Sequence, residues 1–215
     1  MPQRPMKADE LRGLINVSRE TLERLEAYVA ALKKWNDAVN LISPATVPDV
    51  WRRHILDSAQ LAPQISQDAK ILVDLGTGAG LPGLILAILL NERPKFRPLL
   101  VDSDARKCAF LRVIAGDVAP KAEILTERIE SLPRLGADVV TARALAPIAS
   151  LIGYAEIVAG PKATCLFLKG RGARKELTDA KETWNMQGDL RPSLSDPSGS
   201  VVVIRAFRRR HGRGE

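Results

Sequence analysis

The chain has 215 residues, 46% of them apolar, which is room and material for one good-sized domain with a small appendage. No apolar run reaches the ~18 residues of a membrane span and the N-terminus has no apolar signal region, so membrane-spanning and secreted classes are set aside and a cytoplasmic location is expected. The net charge of +7 is concentrated late, +1 over residues 1–161 and +6 over 162–215, ending in Arg205-Ala-Phe-Arg-Arg-Arg-His-Gly-Arg; a one-sided basic region points to a polyanionic partner, nucleic acid above all.

Leu22, Leu25, Val29, Leu32 and Trp35 recur at three- and four-residue steps, which predicts an amphipathic helix over 18–42, opening at Ser18 and stopping at Ser43-Pro44. A second helix is expected over 48–62. From residue 70 the pattern becomes short strands alternating with helices: strands at 70–75, 98–102, 121–126, 138–142 and 163–168, with helices near 84–90, 104–118, 147–158 and 172–185. Runs such as Ile71-Leu72-Val73 and Leu99-Leu100-Val101 are apolar throughout, as in strands covered on both faces. Segments 187–194 and 200–207, joined by Ser195-Asp196-Pro197-Ser198-Gly199, read as a closing antiparallel hairpin. The fold class is therefore α/β: a Rossmann-like, mainly parallel doubly wound sheet with a C-terminal hairpin. The expected divisions are an N-terminal helical extension over 1–66, the main domain over 67–207 and a basic tail over 208–215.

The first strand runs into Asp74 and then into Gly76, Gly78, Gly80 and Gly83. Only glycine lets a backbone turn so tightly and approach a ligand so closely. Two patterns overlap here. Gly78-Ala-Gly80-Leu-Pro-Gly83 fits the dinucleotide fingerprint G-x-G-x-x-G, whereas Asp74-Leu-Gly76-Thr-Gly78-Ala-Gly80 fits the D-x-G-x-G-x-G turn of S-adenosylmethionine-dependent methyltransferases. The turn begins where the strand ends, so the nucleotide pattern must skip Gly76, and Pro82 removes an N–H from a helix start that would otherwise face a pyrophosphate. The register favours the methyl donor. Asp102, at the end of the second strand, suits the ribose hydroxyls of either cofactor. After the third strand, Ile129 and Glu130 could pack against and read an adenine.

Further stretches carry a resemblance: Trp35-Asn36 with Asn40-Leu41-Ile42, Arg53-His54-Ile55-Leu56-Asp57-Ser58, Asp74 to Gly83, Arg106-Lys107 with Phe110-Leu111, Arg128-Ile129-Glu130, Arg143-Ala144 and Leu168-Lys169-Gly170. Over about residues 20–207 the chain resembles the bacterial 16S rRNA guanine-N7 methyltransferases, the glucose-inhibited division protein B family. The resemblance implies methyl transfer from S-adenosylmethionine to N7 of a guanine in the 530 loop, on 16S rRNA or the small-subunit particle. It also places cofactor contacts on Gly76, Leu81, Ile129, Glu130 and Arg143, with Asp102 holding the ribose. The tail beyond Phe207 lies outside it.

Guanine N7 has an in-plane lone pair and no proton, so direct in-line attack needs no base, and no catalytic acid, base or nucleophile is expected. Cys165, inside the apolar run Cys-Leu-Phe-Leu, reads as a core thiol, and the run typical of adenine-N6 enzymes is absent. Arg143 and Lys169 are the positioning candidates, Arg143 for the donor carboxylate or an RNA phosphate. His54, Arg128 and Lys169 are candidate RNA contacts, although a lone His on a helix is more often a structural hydrogen-bonder. The scarce aromatics Trp35, Trp51, Phe110 and Phe167 fall on apolar faces, so RNA recognition is expected to rest on charge and shape and to be salt-dependent. No metal spacing is present, and a monomer without a membrane partner is expected. Two readings from other classes stay open: an NAD-dependent oxidoreductase, which lacks a suggestively spaced Tyr/Lys pair, and an inactive RNA-binding module.

Overall fold

The computed structural model describes residues 4–210. Five parallel strands, β1 (Ile71–Leu75), β2 (Arg97–Asp102), β3 (Glu123–Thr126), β4 (Ala137–Arg143) and β5 (Ala159–Lys169), are followed by β6 (Trp184–Pro192) and β7 (Ser200–Arg209). The sheet order is β3-β2-β1-β4-β5-β7-β6, with β7 antiparallel to both of its neighbours. The chain leaves β1 toward β2 and β3, then crosses back to lay β4 on the other side of β1. That reversal opens a crevice at the carboxyl ends of β1 and β4, where ligands of open α/β sheets bind.

Helices α1 (Ala8–Leu11), α2 (Arg19–Val39), α3 (Asp57–Ala59), α4 (Gly83–Leu89), α5 (Ala105–Val118), α6 (Ile148–Val158) and α7 (Ala173–Thr183) complete the architecture. One apolar cluster joins α2 to α4 and α5, through Leu25, Leu32, Leu84 and Phe110 among others; a second joins α6 and α7 to the sheet around Phe167 and Trp184. Ser18 caps α2, its hydroxyl accepting from the Thr21 N–H at 3.1 Å. The helix stops three residues short of the expected Ser43-Pro44, at Asn40, whose φ of 51° turns the chain out of the helix. Buried Asn36 then accepts from the Ile42 N–H at 2.8 Å, so the Asn36 and Asn40-Leu41-Ile42 motif is one folded corner.

The single helix expected over 48–62 is in fact broken. A 3-10 segment, Pro44–Asp49, leads into a π-helical turn, Trp51–Leu56, and then α3. Pro48 has no N–H to give a regular helix. The Asp57 N–H bonds to the His54 carbonyl in place of the Arg53 one, and the Arg53 carbonyl accepts from the Arg143 side chain of β4. The hairpin differs in detail: Trp184, placed at the end of α7 by its pattern, begins β6, and the last strand sits inside the sheet with β6 on the edge. The C-terminal strand reaches Arg209, so three residues assigned to the tail are described, while 211–215 lie outside the described residues.

The extension touches the glycine turn directly. Tyr28, fully buried on α2, donates its hydroxyl to the Ala79 carbonyl at 2.8 Å and leans on Phe110. Tyr28→Phe leaves that carbonyl unpaired in the interior, and a destabilisation of about 1–3 kcal/mol in urea unfolding is the expected result.

Candidate functional site

The sequence places an acid at the end of β1, and the fold buries it. Asp74 has no exposed surface; it accepts from the Gly83 N–H at 2.9 Å and from the Thr141 hydroxyl at 2.6 Å, tying β1 to α4 and β4. Burial raises its pKa to about 6 against these bonds. A Cβ at Gly83 would stand 2.5 Å from the Asp74 side chain, so glycine there is a packing requirement. Asp74 is thus the buried footing of the turn and is absent from the lining of the two cavities beside it. Gly80, packed against Leu84 and Leu111, and Leu81, buried in the α2–α4–α5 cluster, also lie behind the turn.

Gly76 and Gly78, with φ of 63° and 57°, face a cavity of about 390 Å³. Asp102 stands on its rim and accepts from the Gly78 N–H at 2.8 Å and the Asp104 N–H at 2.9 Å. Each of its oxygens retains an acceptor position, which is what a pair of ribose hydroxyls needs. Ile129, Glu130 and Arg128 form the far wall, with Lys107 and Tyr154 completing it. The dimensions and mixed lining suit a nucleoside-sized ligand.

A second cavity, about 480 Å³, opens beside the first. The corner at Leu41-Ile42-Ser43, the π turn with Arg53 and His54, the end of β5 with Lys169, and the β6–β7 loop form its walls. Arg143 and Ala144, at the end of β4, line both cavities. Ala144 has a φ of 50°, a left-handed conformation that costs an alanine ~1–2 kcal/mol and turns the chain away at the junction.

Arg143 is held by the extension. Its Nη1 donates to the Arg53 carbonyl at 3.1 Å and to Asp57 Oδ2 at 3.2 Å, and its Nη2 lies 2.7 Å from His54 Nδ1. A guanidinium can only donate, so Nδ1 is the acceptor. The Thr46 hydroxyl gives its proton to the Ser43 carbonyl at 2.7 Å, and His54 Nε2, 2.8 Å from that hydroxyl, carries the ring proton. His54 is therefore a neutral Nε2–H tautomer. Burial, with the Arg143 and Arg53 charges, pushes its pKa down to about 3. Both ring nitrogens are taken by protein partners, so the ring has no polar atom to spare for RNA.

Lys169, placed at the end of β5, lines the second cavity, but its ammonium bonds to Glu176 at 2.8 Å and to the Ala146 carbonyl at 3.0 Å. Glu176 also accepts from the Ile148 N–H at 3.0 Å, so this pair joins β5, α6 and α7. Arg128 is exposed at the first cavity. Residues not singled out for the site from sequence are Asp57, Lys107, Ala144, Tyr154, Ser195 and Asp196. The three-residue spacing of His54 and Asp57 was the available signal for one helical face, whereas nothing local ties Ser195 to residue 57 across 138 positions. Cys108 and Cys165 are buried, and among the described residues no cluster of His, Cys, Asp or Glu could hold a metal ion.

The strand order with its reversed final strand, the glycine turn and the acid on β2 define a class: the S-adenosylmethionine-dependent methyltransferases of Rossmann-like fold. A SAM-dependent methyltransferase from Aquifex aeolicus shares the fold with a TM-score of 0.56 at 13% identity, over 82% of this chain and 97% of that one. A methyltransferase from Geobacter sulfurreducens does so with a TM-score of 0.59 at 14% identity, over 92% and 96%. The family model described as rRNA small subunit methyltransferase G matches residues 21–209. Proteins named ribosomal RNA small subunit methyltransferase G from Paramagnetospirillum magneticum and Parvibaculum lavamentivorans are 50% and 48% identical, over 95% and 93% of this chain and 98% and 89% of theirs. The chain belongs to the rRNA small subunit methyltransferase G family.

Between pH 6.5 and about 3 the unfolded chain binds a proton on His54 that the folded chain refuses, so this residue lowers stability as pH falls through that window. Nitrogen-15 NMR of the His54 ring is expected to show the neutral Nε2–H form unchanged from pH 8 to 5. A titration near 6.5 is the contrary result.

Proposed function

We propose that this rRNA methyltransferase modifies N7 of a guanine in the 530 loop of 16S rRNA, by direct in-line attack without a covalent enzyme intermediate. The observation that carries this reading is the pair of cavities meeting at Arg143 and Ala144, one shaped for a nucleoside and the other open to a splayed base, with no nucleophile at their junction. S-adenosylmethionine, when bound, supplies an electrophilic sulfonium methyl. Gly76 and Gly78 allow the close backbone approach that the donor requires, and Asp102 would hold its ribose hydroxyls. Ile129 would pack on the adenine, with Glu130 and nearby backbone reading its edge.

The protein's part in the chemistry is alignment and exclusion of water. Good alignment alone supplies ~7–11 kcal/mol of barrier reduction. Both thiols are buried, and burial raises the Cys165 pKa far above its usual range, so neither serves as a cytosine-type nucleophile. The product guanine is cationic, and a bare guanidinium at the junction would oppose it. Arg143 is instead paired with Asp57, and Arg53 with Asp196 at 2.9 Å, which tempers the positive charge in the second cavity. The small-subunit RNA, presented naked or as a particle, is the expected partner, and a monomeric enzyme suffices because one chain supplies both cavities.

Incubation with labelled donor and small-subunit RNA, followed by nuclease digestion and mass mapping, is expected to yield N7-methylguanosine within the 530 loop. Methyl groups on adenine, cytosine or a ribose hydroxyl would contradict the reading. Asp102→Ala is expected to weaken donor binding at least tenfold by titration calorimetry, since it removes the ribose acceptor and frees the Gly78 N–H.

A further inference from the structure

The β4 end shows an arginine with a divided set of donors. Of the five N–H groups of Arg143, Nη1 spends two on the Arg53 carbonyl and Asp57, and Nη2 spends one on His54. The Nε–H and one Nη2–H have no partner among the described residues. Those two can engage an anionic oxygen at the junction of the cavities. A free arginine side chain has much rotamer entropy to lose on binding, and here much of that is lost before any ligand arrives.

The anchor does not end at Arg143. Asp57 gives Oδ2 to the guanidinium and Oδ1 to the Ser195 hydroxyl at 2.6 Å and the Gln60 amide at 3.1 Å. Gln60 accepts from the Leu194 N–H at 2.7 Å, and its amide also reaches the Ser193 hydroxyl at 3.1 Å. Arg53, the residue preceding His54, grips Asp196 on the same loop. The β6–β7 loop is a wall of the second cavity, so one carboxylate links the residue shared by both cavities to the loop that shapes one of them. Ser195 is 6% exposed and Gln60 likewise 6%, so these bonds are shielded from competing water.

We infer that Asp57 and His54 are positioning residues for methyl transfer: they fix Arg143 at the junction with two donors facing the donor molecule, and Asp57 couples that arginine to the β6–β7 loop at the acceptor side. The inference rests on the reading of the two cavities as donor and acceptor sites. Neither residue touches the reacting atoms. His54 serves as a neutral acceptor, which an asparagine carbonyl can imitate and a leucine cannot. Asp57 serves as a bridging anion, whose shape Asn keeps while losing its charge.

Wild-type binding of S-adenosylmethionine, measured first by calorimetry, tests the cavity assignment itself; absence of binding would overturn that reading and this inference together. His54→Leu and Asp57→Ala are then expected to raise the donor Kd at least tenfold. His54→Asn should return it to within about threefold of wild type, and Asp57→Asn should fall between. Ser195→Ala should leave the donor Kd within twofold while raising KM for the small-subunit RNA several-fold. Circular dichroism identifies the folded variants, and near-isosteric Asp57→Asn secures one. Folded Asp57→Asn and His54→Leu proteins with lowered melting temperature but unchanged donor Kd and kcat/KM would overturn the inference, as would equal loss in His54→Asn and His54→Leu.

Discussion

Asp74 is the constraint on which the rest is built. A carboxylate with no exposure is costly unless its bonds are made, and here the Gly83 N–H and the Thr141 hydroxyl make them. Through those two bonds β1, β4 and α4 are fixed at one point, directly under the crevice. Gly83 must be glycine because the carboxylate occupies the space of its Cβ. With the footing set, Gly76 and Gly78 can take their left-handed conformations at the cavity, and Asp102 steadies the second of them from the neighbouring strand.

The helical extension belongs to the same mechanical unit. Tyr28 ties α2 to the carbonyl of Ala79, behind the glycine turn, and the π turn delivers a carbonyl and an imidazole to Arg143 while Asp57, the first residue of α3, adds a carboxylate. In a regular helix the Asp57 N–H would bond to the Arg53 carbonyl; here it bonds to that of His54, and the Arg53 carbonyl accepts from Arg143. π turns occur disproportionately at functional sites, and this one has an identifiable job. The β6–β7 loop closes on the extension from the opposite side, so the second cavity exists only because two segments distant in sequence meet over the ends of β4 and β5.

The parallel strands and their order of appearance were legible because continuous apolar runs and glycine-rich breaks mark them locally. The register of the glycine turn also identified the class of cofactor, since Asp74 and Gly76 sit where the strand ends. What local pattern could not show was the role of each residue. Asp74 and Leu81 share a motif with Gly76, but only packing reveals that they face away from the cavity. His54 follows Arg52-Arg53 and reads as a candidate RNA contact, yet the fold buries it against Arg143. Lys169 reads as a free cation until Glu176 is brought to it by α7. The use made of the turn inside 48–62 was hidden because the guanidinium that bonds to the Arg53 carbonyl arrives from residue 143.

Two cavities share Arg143 and Ala144, and on the proposed function the first takes the donor and the second the base. A crystal structure of the protein with S-adenosylhomocysteine tests it most directly. The adenosyl group is expected between Asp102 and Ile129, with the sulfur at the Arg143–Ala144 junction and facing the His54 side. An adenosyl group lodged instead between Lys169 and the β6–β7 loop, or a sulfur turned away from that junction, would contradict it.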